Sequence, residues 1–199
     1  YANDMEDVVA AIRGNESQNR TINAAYFSAT RLISLQTRNS AAYKGIMALV
    51  YRGRCHDFVQ GTTIDIVKSM DEAPDIHHIF PEAYCVKMGY KKEKWNSIVN
   101  KTPLLPESNR QIGGEAPSVY SKRVMRKAEI DEAAWRSRVE SHLVDYDTFI
   151  SDDFNGYFIA RAKSIMKVIE AAMGKTIADK GSEQTINIYG FSLEDQAEA

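Results

Sequence analysis

The chain has 199 residues, 44% hydrophobic and 26% charged, with a formal net charge of −2. Those values suit an ordinary globular protein with enough chain for a sizeable core, expected as one domain with a small inserted module. They exclude helical membrane passage, because no apolar run approaches the roughly 18 residues a spanning helix needs, and they argue against broad nonspecific affinity for nucleic acid.

Residues 4–13 read as a short helix closed by Gly14, and residues 21–35 as a second helix with Ile22, Tyr26, Ala29 and Leu32/Ile33 on one face. A third, over residues 40–52, begins at a cap on Asn39 or Ser40 and stops at Gly53, while residues 64–70 carry a weaker helical pattern. A strand then holds His77 and His78, residues 82–88 make a helical turn in an enlarged hairpin connection, and residues 101–105 return as the second strand. Pro106 opens a short helix stopped by Gly113-Gly114, and Pro117 opens another through about Arg126. Residues 131–141 and 153–173 complete the helices; in the latter, Phe154, Phe158, Ala162, Ile165, Ile169 and Ala172 recur at steps of three and four before Gly174. Beyond Lys180 only residues 185–189 have strand character, and the acidic close from Glu194 is expected to be mobile. The expected fold class is α+β: a mainly helical frame (residues 1–74 and 127–180) around a module at 75–126, with a tail at 181–199.

The chemistry concentrates in Asp75-Ile76-His77-His78-Ile79-Phe80-Pro81, followed by Asn100 and Asn109. Phosphodiester cleavage needs water deprotonated near neutral pH and a cation to stabilise charge on the phosphate and leaving oxygen. An imidazole with its usual pKa near 6.5 suits the first task, and a second imidazole with amide and water oxygens suits the other. Neighbouring side chains on a strand point to opposite faces, so one ligand and one base is the simplest division of His77 and His78. Plainer roles stay open: a buried hydrogen-bonded histidine pair, a turn role for Asn100, and a helix-capping role for Asn109.

The order His-His-x-x-Pro, Asn, Asn resembles the HNH, or ββα-metal, endonucleases. More narrowly the chain is similar to the C-terminal HNH-like domain of the GmrSD group of modification-dependent restriction enzymes. Matching text includes Thr37-Arg38-Asn39, Tyr43-Lys44-Gly45, the histidine segment, residues 96–104, residues 109–114, Pro117-Ser118-x-Tyr120 and residues 154–161. The resemblance implies that His77 is a metal ligand and His78 the general base. It further implies that Asn100 orients the base or holds the turn, and that Asn109 is the second protein ligand. Asn109 stands where many members have histidine, which favours Mg2+ or Mn2+ over zinc. The Asp-Gly-Gln-Gln-Arg signature of the relatives' nucleotide-hydrolysing domain is absent from the sequence, and with a first residue other than Met the chain is expected to be part of a longer protein. The implied partners are DNA and an N-terminal nucleotide-hydrolysing domain or subunit. The rival expectation is a nucleic-acid-binding or assembly domain that keeps the scaffold without the chemistry.

From His77 to Lys127 there are ten Lys or Arg against four acids, an excess of +6 inside an acidic remainder. Such a module suits phosphate attraction, with Lys101, Arg110, Ser118, Lys122 and Arg123 as candidate DNA contacts; a solvated helix face is the plain alternative for the last three. Arg161 lies beside an apolar stripe, where a structural ion pair or a phosphate contact would occupy it. Cys55 and Cys85 lack metal-site spacing, so reduced thiols and a cytoplasmic setting are expected.

Overall fold

Strand alternation organises the centre of the molecule. The computed structural model describes residues 2–16, 20–64 and 75–194. Strands β1 (Asp75–His78) and β2 (Lys101–Leu104) pair antiparallel, with His77 opposite Thr102 and His78 opposite Lys101. His77 and Thr102 therefore share one face, and His78 and Lys101 the other. The inner face is closed by His142, whose Nδ1 lies 2.6 Å from the Thr102 hydroxyl and whose Nε2 lies 2.6 Å from the His56 carbonyl oxygen. A carbonyl only accepts, so Nε2 carries the proton and Nδ1 accepts from Thr102.

Helices surround this hairpin. Before it come α1 (Ala2–Ile12), α2 (Arg20–Ala24), α3 (Arg31–Ser34) and α4 (Ala41–Arg52). The connection from β1 to β2 holds α5 (Glu82–Lys87), α6 (Lys92–Trp95) and a 3-10 turn (Ile98–Asn100). After β2 follow α7 (Pro106–Ile112), α8 (Pro117–Ala128), α9 (Glu132–Glu140), α10 (Tyr146–Ile150), α11 (Phe154–Met173) and α12 (Glu183–Tyr189). Short polar residues start several of them: Ser40, Asp131 and Asp153 accept backbone N–H bonds from Tyr43, Ala134 and Gly156. Gly174 ends α11 in the left-handed conformation at φ 65°.

The core joins the hairpin to α11. Phe80, Phe149, Phe154 and Tyr157 make edge and tilted ring contacts, all four buried. Arg161 is also fully buried, and among the described residues it meets no carboxylate. Its guanidinium donates to the carbonyls of His142 and Val99, 3.2 and 2.5 Å away, in place of the expected ion pair. Tyr157 adds a hydroxyl bond to the Val99 carbonyl. Among the described residues no helix is long and apolar enough to cross a membrane.

Three expected elements differ. The single helix over residues 21–35 is broken into α2 and α3, because the Asp179 carboxylate takes the Ala29 N–H and the Ser28 hydroxyl and draws the chain out of helical form. Tyr26, placed on the inner face by spacing, is 85% exposed. Residues 185–189, expected as a strand, lie in α12, where Ser182 caps the N-terminus and Gly190, at φ 88°, stops the helix. Those local signals outweigh the β-branched content of Thr185-Ile186-Asn187-Ile188. α12 is packed rather than tail-like, its Tyr189 hydroxyl reaching the Ala29 carbonyl; residues 195–199 lie outside the described residues. The helical pattern at 64–70 likewise falls, beyond Ile64, outside them.

Candidate active site

A groove of about 520 Å³ opens where the outer edge of β1 faces the segment that leads into α4. One wall carries Asp75, Ile76, His78 and Asn109; the other carries Gln36, Thr37, Arg38 and Asn39, with Tyr43 and Lys101 completing it. The sequence-predicted base therefore reaches open space in the company of two predicted contacts.

His78 is half-buried, its ring set edge-on against Trp95 at 5.7 Å. Its Nε2 lies 3.2 Å from Asn96 Oδ1. Asn96 donates its Nδ2 to Gln36 Oε1 at 3.4 Å, which turns its oxygen toward the imidazole and makes Nε2 the protonated nitrogen. The lone pair of a neutral His78 is then on Nδ1. Burial lowers the His78 pKa, the Asn96 bond opposes that, and the Lys101 charge adds to it, so the ring is neutral and able to accept a proton at pH 7.

His77 turns the other way. It is 5% exposed, and burial pushes its imidazole down to about 4. Its Nδ1 lies 2.6 Å from Asn109 Oδ1, so the two expected ligands are in direct contact. Asn109 Nδ2 donates to Asp75 Oδ2 at 3.2 Å, which fixes the amide oxygen toward His77 and makes His77 Nδ1 the donor. His77 Nε2 is buried with no partner among the described residues.

The pair fits a small divalent ion in spacing. Two donors at right angles in a six-coordinate shell, with bonds of about 2.1 Å, lie about 3 Å apart, close to the observed 2.6 Å. Ligation by Nδ1 would require its proton to move to Nε2, whose buried position has no partner among the described residues. Among the described residues no three His, Cys, Asp or Glu side chains converge on one point.

The remaining predicted residues separate. Asn100 is fully buried and does not touch His78: its Oδ1 accepts from the Phe80 N–H, and its Nδ2 donates to the Phe80 and Trp95 carbonyls, all at 2.9 Å. It holds the turn, and the amide in contact with His78 is that of Asn96, to which sequence reasoning gave no role. Lys101 is 7% exposed and donates to the Gln36 carbonyl at 2.6 Å while lining the groove. Burial lowers its pKa. Arg110 is exposed on α7, and Ser118, Lys122 and Arg123 on α8 do not line the groove. The Ser118 hydroxyl and N–H are both held by Asp152, and Arg123 pairs with Glu115 and caps the Ile112 carbonyl. Arg38 was visible in the sequence only as part of the Thr37-Arg38-Asn39 text, without a role; the fold brings it, exposed, to the groove.

No protein-family model matches the chain. It is similar to an uncharacterized protein of Methanocaldococcus jannaschii, with 27% identity over 164 residues, covering 72% of this chain. The chain spans only 27% of that relative's length.

Proposed function

We propose that this chain is a metal-dependent endonuclease domain that hydrolyses DNA phosphodiester bonds in the groove beside His78. The observation that carries the reading is the His78 imidazole: its Nε2–H donates to Asn96, its Nδ1 has no hydrogen-bond partner among the described residues, and its groove also displays Lys101 and Asn109. In this reading Nδ1 accepts the proton of an attacking water, and Arg38 and Lys101 draw the scissile phosphate into the groove. Mg2+ or Mn2+ held at His77 and Asn109 would supply the positive charge that stabilises the phosphate and the leaving oxygen. The ββα order of β1, β2 and α7 supports the likeness to HNH nucleases seen in the motifs.

The proposed setting is a cytoplasmic, modification-dependent restriction or phage-defence protein with an N-terminal nucleotide-hydrolysing domain or subunit. One observation favours the alternative of a binding or assembly domain that has lost its chemistry: His77 is buried and satisfied by Asn109 alone at Nδ1. Plasmid nicking with Mg2+ and with Mn2+ separates the two. Wild-type protein should cleave, and His78→Ala should lose at least about 10²-fold, the usual contribution of a general base, with its fold intact. Equal cleavage by the variant would remove His78 from the mechanism.

A further inference from the structure

We infer that Asp75 supplies the anionic ligand of the cation, joining His77 and Asn109 at the wall of the groove. The inference rests on the single-cation reading above and concerns a residue to which the sequence motif assigned no role. Asp75 and His77 are two apart on β1 and so lie on one side of the strand. Asn109 bridges them, its amide oxygen on His77 at 2.6 Å and its amide nitrogen on Asp75 at 3.2 Å. The three side chains form one continuous cluster, and Asp75 and Asn109 both line the open groove.

Charge makes the carboxylate necessary. A neutral imidazole and a neutral amide leave the full double charge of a cation uncompensated at a partly buried position. Mg2+ and Mn2+ sites are ordinarily built on one or two carboxylates, with water and phosphate oxygens filling the shell. Asp75 Oδ2 accepts from Asn109, and among the described residues no Lys or Arg forms a salt bridge with the group. It is a carboxylate in hydrogen-bond contact with the predicted ligand pair, at the wall of the same groove.

The test measures metal binding itself, by titration calorimetry of the whole chain with Mn2+ in the absence of DNA. Asp75→Asn preserves the size of the side chain and an oxygen able to accept from Asn109, so its metal-free melting should match wild type while Mn2+ binding weakens by more than tenfold. Asp75→Cys separates a ligand from a residue that merely positions Asn109: a thiolate ligand should restore binding of soft Cd2+ without restoring Mn2+, whereas a positioning role gives no such switch. Unchanged Mn2+ affinity in Asp75→Asn, or loss of both metals without a Cd2+ switch in a folded Asp75→Cys, overturns the inference and leaves the His77–Asn109 site standing. Absence of Mn2+ binding by wild type would overturn the underlying cation reading as well.

Discussion

Asn96 and Asn100 show how much depends on a single amide. They lie four residues apart, yet one faces His78 and the other is sealed in the core. Asn96→Ala should lower cleavage by about tenfold, less than the ~10²-fold loss of the base itself. Because the Asn96 bond raises the His78 pKa, its removal should also move the acid limb of the pH–rate profile to lower pH. A rate loss with an unmoved limb would assign Asn96 to folding alone. The buried imidazoles His77 and His142 make a second claim at this scale. Burial holds their folded pKa values at about 4 and about 3, below the ordinary 6.5, so both bind protons more weakly folded than unfolded. Their stabilisation is therefore complete above pH 6.5 and lost as pH falls toward those folded values, each by up to roughly 1.4 kcal/mol per pH unit. Urea denaturation at pH 7 and pH 4.5 should show the decline, and His142→Gln should shrink the slope by about half.

At the level of elements, Asn100 fastens the connection between β1 and β2. It is bonded to Phe80, two residues beyond His78, and to Trp95, against which the His78 ring is set. Asn100→Ala leaves the buried Phe80 N–H and Trp95 carbonyl unsatisfied and the Phe80 carbonyl with only the weak Cys85 thiol donor, and should cost roughly 2–4 kcal/mol in chemical denaturation, within the range for orphaned buried polar groups. Loss below about 0.5 kcal/mol would show that water or a shifted backbone replaces the amide. Capping chemistry made α4, α9 and α11 legible in the sequence, since Ser40, Asp131 and Asp153 act within three residues of themselves. The break between α2 and α3 was not legible, because its cause, Asp179, is about 150 residues away along the chain. Four-residue α6 and five-residue α10 are too short to display a helical period at all. For the site, the alternation of His77 and His78 could be read directly. Which asparagine reached His78 could not, because residue spacing says nothing about where a loop turns its amide.

For the whole molecule, the proposed function turns on which basic surface would meet a nucleic acid. The +6 excess between His77 and Lys127 suggested α8, but Ser118 and Arg123 are engaged by Asp152, Glu115 and Ile112. Arg38 instead stands exposed at the groove. Arg38→Ala should weaken DNA binding across sequences and flatten its salt dependence by about one unit of slope, as expected for one lost phosphate contact. Lys122→Ala with Arg123→Ala should change the slope less. Fluorescence anisotropy at several salt concentrations decides between them, and a larger effect of the α8 pair would return the interface to that helix.

The two cysteines give the molecule an internal reporter. Cys55 follows α4, and Cys85 sits in α5 between the strands; both are free thiols, fully buried, with burial holding each thiol up to about 12. Alkylation at neutral pH must then wait for a local opening that admits reagent and lets the thiolate form. Two labelling clocks, read separately by mass spectrometry, would time the loosening of the connection that carries His78's support and of the helical surround. If Cys85 reacts sooner, the hairpin connection breathes while its surroundings stay closed.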